Sequence, residues 1–77
     1  MNNIMKTVNF VLDKKANVLL VVKHVAGVDI QTLLCGEMGP GFHSVPLGPI
    51  RLYSGTVLRY ELCIDGQLKE SSFFKAA

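Results

Sequence analysis

Apolar side chains recur at every second residue along most of this chain, and that spacing decides its backbone geometry. In SGTVLRYELCIDG, residues 54–66, Leu58, Tyr60, Leu62 and Ile64 fall on one side. Arg59, Glu61 and Cys63 fall on the other. Successive side chains point to opposite faces only when the backbone is extended, so this stretch reads as a strand with one buried face. The same alternation places Val8, Phe10 and Leu12 on one side of residues 6–12. Residues 18–25 are rich in β-branched side chains and read as the most strand-like segment.

Turn chemistry divides the chain between these runs. Residues 13–17 form a polar turn, and Ala26-Gly27 a tight hairpin connection leading to a return strand over 28–35. The glycines and Pro40 of GEMGPG, residues 36–41, are expected to end that strand. A short strand follows over 42–45, then a long connection with two prolines over 46–55. Asp65-Gly66 lies between two alternating runs, a strong hairpin signal, and the last strand covers residues 67–75. Six strands result, or seven if part of residues 49–53 pairs. No segment has helical periodicity and no linker divides the chain. The expectation is one all-β domain over residues 1–77, a β-sandwich or a small barrel.

Size and composition bound what this domain does. With 77 residues it buries only about 60% of its unfolded surface, so a disulfide, a metal or a partner chain would add welcome stability. At 49% hydrophobic and 18% charged residues the chain is not a solvated tail. Its net charge of +2 is spread over scattered Lys and Arg, without the concentrated cationic face that phosphate contacts need. Nucleic acid is therefore not an expected partner. No apolar run approaches the roughly 20 residues that span a bilayer, and MNNIMKTVNF lacks the pattern of a signal peptide.

Several short motifs occur in a recognisable order: VNFVLDKKANVLLVVKHVAGVDIQTLL, GPGFHSV, LYSG and DGQLKESSFFK. The series resembles the Ig-like carboxy-terminal sorting domain of proteins exported by the Bacteroidetes type IX secretion system. It is also similar to the Ig-like domain of the flagellar hook-capping protein. The resemblance runs from Thr7 to Lys75 and implies an Ig-like β-sandwich of six or seven strands with a sorting or adhesion role. His24 stands where that family has Asp, and Pro46-Leu47 where it has an aromatic residue. The family's Tyr falls at Val57, which one extra residue or a bulge near Thr56 would reconcile with the alternation. As the tail of a larger exported protein the chain would be secreted or at the cell surface; as a complete protein it would be cytoplasmic.

Candidate functional residues lie on the second face of residues 18–25. Leu19 and Val21, followed by Lys23, make that strand apolar on both sides. Such a strand is covered on both sides, either by a local loop such as residues 36–41 or by another chain. The expected interface is Leu19, Val21 and Lys23, with a protein partner or a second copy of the chain. Burying Leu19 and Val21 would contribute about 3–5 kcal/mol gross.

Other chemistry is weakly marked. Cys35 and Cys63 show no metal-ligand spacing and read as free thiols packed as small hydrophobes; a bridge needs their strands to be neighbours or to face each other. His24 and His43 fall short of the three or four ligands zinc takes, and His43 is expected to support its turn through a backbone hydrogen bond. No cofactor is expected. Neither histidine has a nucleophile signature with a cysteine, and so short a chain leaves little room for a deep pocket of about 300 Å³ or more, so the expectation is a non-enzyme. The alternatives to a protein-interaction module are a small carbohydrate-binding sandwich using Phe42, Tyr53, Tyr60, Phe73 and Phe74, and an autonomous cytosolic homodimer. In the former Tyr60 reads as core, and Phe73 and Phe74 point to opposite faces.

Overall fold

The computed structural model describes residues 6–48, 50, 53 and 55–76, and in it the period-two segments are strands. They are β1 (Thr7–Leu12), β2 (Ala16–His24), β3 (Asp29–Met38), β4 (Gly41–Pro46), β5 (Val57–Ile64) and β6 (Gln67–Lys75). All pairings are antiparallel. β1 and β4 form a two-stranded sheet; the other sheet has the order β3-β2-β5-β6. The chain is thus an all-β, six-stranded sandwich. Among the described residues no helix is long and apolar enough to cross a membrane.

The alternation of each central strand explains the layering. Val8, Phe10 and Leu12 of β1 face Val18, Leu20 and Val22 of β2 and Leu58, Tyr60 and Leu62 of β5 within one buried cluster. Leu20, Val22 and Leu58 have no solvent exposure, and each such side chain contributes about 1.5–3 kcal/mol. Leu47 and Ile50, from the connection between the sheets, complete the core beside Ala76. No seventh strand forms among the described residues: Tyr53 sits in a single tight turn, and Pro49, Arg51 and Leu52 lie outside them. The LYSG turn also falls partly outside, at Leu52 and Ser54.

Two local features decide how far the strands run. Asp65 (φ 50°) and Gly66 (φ 80°) are both left-handed, as a two-residue type I′ hairpin turn requires. The Asp65 carboxylate also accepts a 3.0 Å hydrogen bond from the Asn17 amide, fastening the hairpin to the start of β2. The expected end of β3 at Cys35 is a correction. β3 continues through Met38, because Gly36 takes φ 152° and lets Glu37 and Met38 pair with Asn17 and Ala16. Only Gly39-Pro40 interrupts the chain before β4. The bulge anticipated near Thr56 is absent: β5 pairs regularly with β2 from Leu58 to Ile64 and with β6 from Val57 to Leu62, and its one irregularity, on the β6 side, lies between Leu62 and Cys63.

Candidate functional site

Leu19, Val21 and Lys23 all lie on the outer face of β2, away from the core. They do not share one environment. Leu19 keeps 39% of its surface exposed, whereas Val21 keeps 6%. Val21 is flanked across the sheet by Thr32 and Glu61. The Glu61 carboxylate is held at 3.2 Å by Lys23 and at 2.9 Å by Arg59, and Lys23 lies 3.5 Å from Asp29. The hydrogen bond to Glu61 holds the Lys23 ammonium above its usual pKa; desolvation opposes it, and the nearby charges of Glu61 and Asp29 add to it. Residues 36–41 do not form the covering loop weighed above, since they are the end of β3 and the corner into β4.

Beside this charged cluster runs an uncharged strip. Leu68 pairs with Cys63, Cys63 with Leu19, and Leu19 with Cys35, so one row crosses all four strands. A shallow depression of about 410 Å³ lies along it, lined by Asn17, Leu19, Cys35, Gly36, Cys63 and Gly66. Both thiols are free, and Cys35 is exposed rather than packed as a small hydrophobe. With β2 between them, their Cα atoms stand about 10 Å apart at normal strand spacing. A disulfide tolerates no more than about 7 Å, so the two cannot join within one chain.

A second site lies where the smaller sheet fails to cover the larger. A cleft of about 530 Å³ separates one edge of β1 from the β5–β6 hairpin. Phe10, Leu12, Ala16, Leu62 and Ile64 give it an apolar lining; Asp13, Lys14, Asp65, Lys69 and Glu70 rim it. Within the sheet beside it, the buried Tyr60 hydroxyl donates to the Glu70 carboxylate. Desolvation first, then this bond and the charge of Glu70, push the Tyr60 phenol up to about 12.

Hydrogen-bond parity identifies what β1 presents to that cleft. The Leu47 amide donates to the Lys6 carbonyl, so Val8, Phe10 and Leu12 spend their backbone groups on β4. The N–H and C=O groups of Thr7, Asn9 and Val11 therefore point to the opposite edge. The other edge strands are guarded. β3 has two register irregularities with β2, and β6 has one with β5 together with Lys69, Glu70 and Lys75. By the same parity, Pro46 removes a donor from the free edge of β4. β1 has no charge, no proline and no register shift over Thr7–Leu12.

The remaining candidates are committed elsewhere. His43 bonds the Gly39 carbonyl at 2.8 Å, as expected of a turn support, and stacks on Phe10 with ring centroids 5.2 Å apart. The ring of His24 accepts from the Ala26 amide at 3.1 Å in the β2–β3 turn. Among the described residues no group of three or more His, Cys, Asp or Glu is placed to hold a metal. The aromatic side chains do not assemble into a platform. Tyr60 is buried, and Phe42 and Phe73 are exposed on the two different sheets.

Comparison of the chain with protein-family models, curated proteins and solved structures finds no match.

Proposed function

We propose that this chain is a non-catalytic protein-interaction module of the sorting or adhesion type, which captures an extended segment of a partner along β1. The observation that carries this reading is the edge of β1 with which no described residue pairs, beside an apolar cleft. Six residues of β1 span about 20 Å, and Thr7, Asn9 and Val11 offer a donor and an acceptor each. A strand entering there gains backbone hydrogen bonds worth about 0.5–1.5 kcal/mol apiece and lays alternate side chains toward Leu62 and Ile64. Backbone pairing supplies affinity, and the cleft supplies preference for apolar residues at alternate positions.

The test is a titration of labelled protein with a short synthetic peptide of alternating valine and threonine. Amide resonances of Thr7, Asn9, Val11 and the β5–β6 hairpin are expected to shift. Asn9→Pro removes a free-edge donor without touching the β4 pairing and should abolish the response. A peptide N-methylated at alternate positions should also fail, with the protein left unaltered. Equal responses to the methylated and unmethylated peptides, or none at about 1 mM, would refute the reading.

A further inference from the structure

We propose that the segment received along β1 carries a lysine or arginine at one of its inward-facing positions, and that Glu70 selects it. The inference rests on β1 as the receiving edge and names the side chain that the cleft takes there. Glu70 stands opposite Leu62 in the β5–β6 pairing, and directly opposed residues of an antiparallel pair share a face. Leu62 belongs to the core, so Glu70 is a carboxylate on the inner face of the larger sheet, within the cleft that β1 borders. The register shift between Leu62 and Cys63 puts it there. Without the extra residue in β6, Lys69 would stand opposite Leu62 instead.

The surroundings of this carboxylate name the occupant. The Tyr60 hydroxyl donates to Oε2 and holds the headgroup in place. Among the described residues Oε1 accepts no hydrogen bond, and no Lys or Arg pairs with either oxygen. Lys69, next in the chain, donates to Gln67 at 3.2 Å. Side chains of an added strand that lie opposite Phe10 and Leu12 share their face and point into the cleft, toward Leu62, Ile64 and Glu70. Packed sheets stand about 10 Å apart, so a long side chain is needed to meet a glutamate reaching from the other sheet. Lysine and arginine lay an apolar stem along Leu62 and Ile64 and bring a cation to the carboxylate. The rim adds Asp13 and Asp65 against Lys14 and Lys69, which leaves the cleft with one net negative charge in a chain of net charge +2. A cation is therefore drawn here, and a carboxylate on the partner is repelled.

Two peptides of alternating valine and threonine test this inference, one central valine being replaced by lysine in the first and by norleucine, its uncharged counterpart, in the second. Amide shifts of the labelled protein give the dissociation constants. Glu70→Gln keeps an acceptor for the Tyr60 hydroxyl, so the fold should persist. It should weaken the lysine peptide about threefold or more and leave the norleucine peptide unchanged. Glu37→Gln, on β3, should alter neither. With the protein unaltered, a peptide with glutamate at the same position should bind more weakly than the other two. Asn9→Pro should abolish binding of all three. If the norleucine peptide binds but Glu70→Gln weakens both peptides equally or neither, or if the glutamate peptide binds as well as the lysine peptide, this inference is overturned and the proposed function stands. If no peptide binds at about 1 mM, the proposed function fails and this inference with it.

Discussion

Substituting lysine at Leu19 and at Val21 separates two residues that the sequence treats alike. Val21 is 6% exposed and sits between Thr32 and Glu61, so its burial contributes about 1.5–3 kcal/mol. Lysine there forfeits most of that packing. It also adds a cation beside Lys23 and Arg59, whose shared partner Glu61 is already engaged by both. We expect Val21→Lys to cost about 2–3 kcal/mol. A 77-residue domain has a total stability of about 4–12 kcal/mol. Leu19 is 39% exposed, and the stem of a lysine can lie along the same surface with its ammonium in water. Leu19→Lys should therefore cost less than about 1 kcal/mol in the monomer. Urea unfolding followed by circular dichroism, at a concentration where the chain is monomeric, reads the difference. With a slope near 1 kcal/mol/M, Val21→Lys should lower the midpoint by about 2–3 M and Leu19→Lys by less than about 1 M. Equal midpoints for the two variants would refute the claim that the chain's own side chains cover Val21.

Two further outcomes follow from the core and the hairpin. Tyr60 is held protonated up to about 12, against about 10 in an unfolded chain, so its contribution is complete below about pH 10 and is lost as pH rises from there through about 12. Tyr60→Phe should cost about 0.5–1.5 kcal/mol at neutral pH and remove that part of the alkaline decline, which unfolding midpoints of both proteins across this range would show. Gly66→Ala places a Cβ at φ 80° in the type I′ turn and should cost about 1 kcal/mol in thermal unfolding, although nothing within 4 Å would touch the new methyl group.

Much of the fold is legible in local patterns, and what is not depends on long-range pairing. Leu58, Tyr60, Leu62 and Ile64 announce β5 by alternation, and Asp65-Gly66 announces the hairpin that follows. The end of β3 was hidden because glycine marks both turns and unusual extended conformations, and Gly36 is the second kind. The interface residues illustrate a deeper limit. Alternation puts Leu19, Val21 and Lys23 on one face, but their exposure is set by Glu61, Arg59 and Asp29, which reach that face only once β2 lies between β3 and β5. The same placement keeps Cys35 and Cys63 apart. The cleft has no local signature, because it arises from a two-stranded sheet failing to cover a four-stranded one. The free edge of β1 had a readable trace, a strand without charge or proline, though its meaning required knowing that β4 occupies only one side.

Amide hydrogen exchange along β1 tests the central claim most directly. In the unbound chain, Val8, Phe10 and Leu12 should be protected by their bonds to β4, while Thr7, Asn9 and Val11 should exchange at nearly the rate of an unstructured peptide. Equal protection at Asn9 and Phe10 would mean that this edge is already paired, and that β1 is not where a partner strand is received.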